Sequence, residues 1–319
     1  MSDVSGIEPG PGTAPASGRP DPLPSAVDPT VFDEAFLRQL ERLALATRRA
    51  VRGGLAGVRR SAQRGQSVEF TDYRDYTPGD DLRALDWNVY ARLERLFIKL
   101  FIEEQDVTVH VLIDASASMD GGSPDKLVWA KRAAAAMAYV GLASYDRVSV
   151  AVLSGRVARR LPPVRGTGRI MRLLGDLSTV EARPGATDLV AAARHYAAQV
   201  TQRGPMILVS DLFDPAADRA ISELAGTRCE LSVIHVLSDD ELDPPLEGDL
   251  RLVDRESGGM VDMTVDLGML DAYRERLAAW QDDLANVCQR RGAAYVPVSS
   301  SLPLADLVFA ELRRRRVVA

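Results

Sequence analysis

The stretch TVHVLIDASASMD, residues 108–120, decides how the rest of the chain is read. Thr108 to Ile113 is an apolar run of the length of a buried strand, and it ends at Asp114 with serines at alternate positions behind it. An Ala-rich helix from about Asp125 to Ala143 follows, then a strand, RVSVAVLSG, and a second strand-like segment, VARRLPPV, close enough to return as an antiparallel hairpin. Helices IMRLLGDLS and DLVAAARHYAAQV, strand PMILVSDL, helix AADRAISELAG and strand CELSVIHVLS continue the alternation. This pattern predicts an α/β fold, a mainly parallel central sheet with helices on both faces.

LRLVDRESGGMVDMTV breaks the rhythm and reads as a hairpin insertion at about 244–266, turning at Ser257-Gly258-Gly259. A long helix from about Leu267 to Arg291, a strand AAYVPVS and a helix ending in Arg313 to Arg316 complete the domain. Upstream, VFDEAFLRQLERLALATRRAVRGG from Val31 has helical spacing and a Gly53-Gly54 stop. The chain therefore divides into a disordered tail over 1–30, an N-terminal helix and connecting segment over 31–106, and the α/β domain over 107–319.

Composition bounds the function. The 319 residues are 46% hydrophobic, enough for a sizeable core, and a net charge of -6 speaks against a chain built to bind nucleic acid. Six arginines and no acid lie between Arg48 and Arg64, which reads as a solvated face set against the acidic domain. Two cysteines without CxxC spacing and three histidines speak against a zinc cluster or disulfide framework. The N-terminal residues lack a signal peptide's apolar core, and no run approaches the roughly 20 apolar residues of a membrane span. A cytoplasmic location is the expectation.

Open α/β sheets bind ligands at the carboxyl ends of their strands, where strand order reverses. Asp114 stands at such an end, and Ser116 and Ser118, at two-residue steps along an extended chain, project to its side. GATDL sets Thr187 and Asp188 at a helix start, and ILVSDLFD puts Ser210, Asp211 and Asp214 after another strand. Three loops thus offer oxygen atoms. Small hard cations take such ligands, and Mg²⁺ prefers six at about 2.1 Å with several waters retained. Asp, Ser and Thr are also ordinary helix caps, and Thr187 can simply cap the helix that follows it.

The arrangement resembles the metal-ion-dependent adhesion site of von Willebrand factor A domains. That resemblance implies Asp114, Ser116, Ser118, Thr187 and Asp211 as ligands of Mg²⁺, with Mn²⁺ or Ca²⁺ as alternatives, and an open position filled by a partner's carboxylate. An enzyme is not expected. Ser116 replaces the second acid of haloacid-dehalogenase-like phosphatases, so no proton donor stands there. Nothing links the three histidines to this edge as bases for a serine, and there is no GxxxxGK[ST] loop. A metal-dependent hydrolase would need a base, for which Asp188 and Asp214 are the local candidates.

Residues 69–92, EFTDYRDYTPGDDLRALDWNVYAR, carry a second signature. Thr77-Pro78-Gly79-Asp80 suits a type II turn, and Asp80 or Asp81 can cap a short helix containing Arg83 and Asp86, with Trp87 as apolar anchor. The stretch resembles the bacterial "domain of unknown function 58" family, whose pattern Tyr76, Pro78, Gly79, Asp80, Asp81, Arg83, Asp86, Trp87, Ala91 and Arg92 fit, with Leu85 in place of Ile. The resemblance implies a von Willebrand A-like domain and, as partner, a MoxR-type AAA+ ATPase in chaperone-like maturation of a client protein. The segment itself reads as structural, seating the N-terminal part on the sheet.

Overall fold

The computed structural model describes residues 26–52, 69–102 except 79, 81, 83 and 84, and 107–308 except 145, 156, 162, 184–187, 247 and 254–258. In chain order the elements are α1 (Glu34–Arg52), β1 (Glu69–Asp75), α2 (Trp87–Leu93), β2 (Phe97–Ile102), β3 (Thr108–Asp114), α3 (Lys126–Ala143), β4 (Arg147–Ser154), β5 (Val157–Arg160) and β6 (Val164–Arg165). Then come α4 (Ile170–Ser178), α5 (Leu189–Ala197), β7 (Pro205–Ser210), α6 (Ala217–Ala225), β8 (Glu230–Leu237), α7 (Asp239–Leu242), β9 (Gly248–Val253), β10 (Met260–Val265), α8 (Leu267–Arg290), β11 (Ala294–Ser299) and α9 (Leu304–Asp306).

The central sheet runs β11-β8-β7-β3-β4-β5, with β6 also paired to β4. β11, β8, β7, β3 and β4 are parallel, while β5 and β6 return antiparallel to β4. From β3 the chain therefore builds outward to β4 and β5, then crosses back to β7 and builds the other way. The order reverses between β3 and β7, so a crevice is expected beyond their carboxyl ends, Asp114 and Ser210.

The strand period of two divides the core. Val109, Val111, Ile113, Val150, Val209 and Val236 face a layer containing α1, α3, α4 and α9; Leu112, Leu153, Leu208 and Val233 face α5, α6 and α8. All but three of the 18 residues of α3 are buried, because α1 covers its outer side through Phe36, Leu40 and Leu43. Alanine-rich sequence suits this position: small side chains let a helix pack on two sides at close distance and lose no rotamer entropy on burial. The expected hairpin is present as β9 and β10, in regular antiparallel register.

Several expectations shift. α1 begins after Asp33, whose carboxylate accepts the Phe36 N–H at 2.7 Å, and Val31 and Phe32 instead pack into the core ahead of it. Residues 26–30, counted with the tail, include Asp28, whose N–H donates to Ser178 Oγ at 3.0 Å. Residues 69–102 contain two antiparallel strands, β1 and β2, that the sequence reading missed. The short helix α2 starts after Asp86, which caps it by accepting the N–H groups of Asn88 and Val89, so Asp86 precedes the helix. Leu85 is the buried anchor, bridged to Ile98, whereas Trp87 is 62% exposed. Gly53, Gly54, most of the basic stretch, Gly79, Asp81, Arg83, the hairpin residues Ser257 and Gly258, and Arg313 to Arg316 lie outside the described residues.

Candidate metal-ion site

Strand β3 ends at Asp114, and the chain stays extended through Ser116 before closing one 3₁₀ turn over Ala117–Met119. The two serines therefore converge through a turn and not through a continued extended chain. Their Oγ atoms lie 2.9 Å apart, and Ser118 Oγ donates to Asp211 Oδ1 at 3.2 Å. Asp211 follows β7, and Leu212 next to it adopts φ +56, a left-handed turn that directs the chain away from the sheet. Four of the five expected ligands are thus brought together. Thr187 lies outside the described residues, although the N–H groups of Arg183 and Asp188 on either side of its loop donate to Ala115 and Gly155 carbonyls at this same edge.

Asp114 is 3% exposed and Asp211 1%. The Ser116 N–H donates to Asp114 Oδ1 at 2.9 Å, and Ser210 Oγ donates to Oδ2 at 2.6 Å. Both donors are neutral. Burial, and after it the nearby Asp211 charge, pushes the Asp114 carboxyl up to about 7. A cation beside it would remove that penalty. Burial also raises Asp211, but here a cation opposes it.

That cation is Lys126, the first residue of α3, which the sequence reading missed. Its ammonium, 1% exposed, donates to Asp211 Oδ2 at 2.8 Å and to Glu241 Oε1 at 2.5 Å. It lies 4.9 Å from the ring centre of Phe213, which stacks on Trp280 at 5.5 Å. Glu241 is fixed by a capping box on α7: its Oε2 accepts the Ser238 N–H at 2.8 Å while Ser238 Oγ accepts the Glu241 N–H. Gly122, at φ +84, makes room for this cap, since a Cβ there would stand 2.5 Å from Ser238 Cβ. The sequence did hold a signal: a lysine in the first turn opposes the helix dipole and needs an acidic partner.

The two candidate bases are tied to backbone. Asp214 accepts the Leu189 N–H at 2.9 Å and the Ala216 N–H at 2.8 Å, and Asp188 caps α5 by accepting the Ala191 N–H. One histidine does reach this edge, contrary to expectation: His235 is the register partner of Ser210. Its Nδ1 lies 2.6 Å from Tyr295 Oη and its ring meets Trp280 edge-on at 4.9 Å, while Nε2 makes no hydrogen bond of ordinary geometry although the Asp211 backbone interacts with the ring. Burial lowers it to about 4, so the ring is neutral near pH 7.

The donor set fits a small hard cation: two buried carboxylates and two hydroxyls, all oxygen, with the Asp114 charge unmatched by any cation among the described residues. No group of three His, Cys, Asp or Glu converges among those residues, so beyond the two carboxylates an ion here would draw on hydroxyl, carbonyl or water oxygens. No helix of the described residues is long and apolar enough to cross a membrane.

Comparison with known proteins gives the following. Among solved structures, the conserved hypothetical protein BatB from Bacteroides thetaiotaomicron is 21% identical, with a TM-score of 0.41 over 66% of this chain and 98% of that one. The vWF domain of the type V pili tip protein Mfa5 from Porphyromonas gingivalis is 13% identical, with a TM-score of 0.35 over 67% of this chain and 97% of that one. Uncharacterized protein Rv1480 of Mycobacterium tuberculosis is 28% identical over 302 residues, 93% of this chain and 95% of that protein. Residues 72–283 match the family described as protein of unknown function DUF58, and the chain belongs to that family.

Proposed function

We propose that the protein is a metal-dependent protein-binding module, and that it acts as an adaptor or co-chaperone of a MoxR-type AAA+ ATPase on a client protein. The observation that carries the reading is Asp114, a buried carboxylate served only by neutral donors and set among Ser116, Ser118 and Asp211 at the strand-order reversal. Mg²⁺ is the ion proposed, and an acidic residue of the partner completes its coordination. Asp188 and Asp214 each brace the backbone by accepting N–H groups, a structural role that favours binding over metal-assisted hydrolysis. The ATPase partner rests on the family resemblance alone.

Isothermal titration with MgCl₂, followed by capture of a MoxR-type AAA+ ATPase from the same genome, tests the proposal. Wild type is expected to bind the ion and to capture the ATPase in its presence, and Asp114→Ala to lose both. Equal behaviour of the two proteins sinks the metal-bridged mechanism. One observation favours a second reading, a scaffold without metal: Lys126 already neutralises Asp211. Partner capture that persists in a chelator is the mark of that alternative.

A further inference from the structure

We infer that Lys126 determines which divalent ion the site accepts, by leaving Asp211 a single oxygen for coordination; the inference rests on the metal reading above. The Asp211 carboxylate is divided. Oδ1 faces the hydroxyl pair, accepting from Ser118 Oγ at 3.2 Å, and Oδ2 is held by the Lys126 ammonium at 2.8 Å. An ion chelated by both oxygens would share Oδ2 with that ammonium, two cations on one atom in a buried place. An ion bound through Oδ1 alone stays on the hydroxyl side, and the ammonium remains paired.

Lys126 has little freedom to withdraw. Its backbone N–H is bonded to Gly121 O at 3.0 Å, its head is shared with Glu241, and Phe213 lies against it. Glu241 in turn is fixed by the cap on Ser238. Asp114 differs: its two oxygens accept one neutral donor each, the Ser116 N–H and Ser210 Oγ, which leaves a lone pair on both. The restriction to one oxygen therefore falls on Asp211, whose Oδ2 faces the ammonium. Ca²⁺ takes six to eight oxygens at about 2.3–2.6 Å and commonly uses both atoms of a carboxylate, whereas Mg²⁺ takes six at about 2.0–2.1 Å with one atom from each. The clamp favours Mg²⁺, and removing it opens the site to Ca²⁺.

The test is titration of the full chain with MgCl₂ and with CaCl₂ by calorimetry, for wild type, Lys126→Met, Lys126→Gln and Glu241→Gln, each first shown to be folded by circular dichroism. Wild type is expected to bind Mg²⁺ about tenfold or more tightly than Ca²⁺, and the Lys126 variants to lose that preference through a gain in Ca²⁺ affinity. Glu241→Gln leaves Asp211 as the only charged partner of the ammonium, so its preference is expected to hold or rise even if the Lys126 variants do not fold. A Lys126 variant that keeps the wild-type preference, a fall in preference for Glu241→Gln, or a wild type that favours Ca²⁺ overturns the inference and leaves the metal reading standing. Binding of neither ion by wild type overturns both.

Discussion

Two acid-rich segments of this chain, DASASMD at the end of β3 and TPGDD before α2, use similar residues to opposite ends. In the first, Asp114 is buried with only neutral donors, and burial raises its carboxyl to about 7. In the second, Asp80 has both oxygens on the Arg74 guanidinium at 2.8 and 2.9 Å and also accepts the Thr77 N–H at 2.9 Å. Those bonds, the Arg74 pair first, hold its carboxyl well below the usual range. A saturated acid is a turn brace, whereas the buried acid met only by neutral donors is the feature on which the proposed metal reading rests.

The largest expected effect comes from the buried cation. Lys126→Met should lower metal-free stability to urea by about 3–5 kcal/mol, because Asp211 and Glu241 are left without their partner. If the loss is no larger than the at most about 1 kcal/mol expected of an exposed ion pair, the contrast between the two segments collapses.

A pH series sharpens the contrast. A carboxyl raised in the folded state keeps its proton there and loses it in the unfolded state, so metal-free stability contributed by Asp114 is present below its unfolded value of 3.8 and is lost as pH rises through about 7. Asp80 has the reverse sign, its contribution being present above 3.8 and lost as pH falls below it. Urea melts of wild type and Asp114→Asn across pH 4–8 should differ in slope, the substituted protein lacking the decline; parallel slopes would show Asp114 to be solvated.

The smallest effect is expected at Trp87. Being 62% exposed, it contributes to α2 without holding it, and Trp87→Ala should change stability by less than about 0.5 kcal/mol. A cost of several kcal/mol would restore the anchor role read from the sequence and taken over in the structure by Leu85.

What was legible follows from the range of the forces involved. β3, β4, β7 and β8 are Val-, Leu- and Ile-rich runs buried along nearly their whole length, so local pattern alone identifies them. EFTDYRD, by contrast, is mostly polar, its two aromatics stand three residues apart across a register shift, and it was missed as β1 of an isolated two-stranded ribbon. Asp114, Ser116, Ser118 and Asp211 were readable because the loops of a doubly wound sheet fall at one edge by topology. Lys126 was not, since its partner Glu241 lies 115 residues away and only the packed fold brings it near. The local anomaly, a cation at a helix start, says that a partner exists without saying which.

The alanines of α3 have a consequence for kinetics. The helix that carries Lys126 is enclosed by the sheet on one side and α1 on the other, and its alanines have no rotamers to exchange. Its backbone amides can meet solvent only if a large part of the domain opens, so they belong with the slowest to exchange for deuterium. The Lys126 ammonium is thus borne on one of the most enclosed elements of the domain.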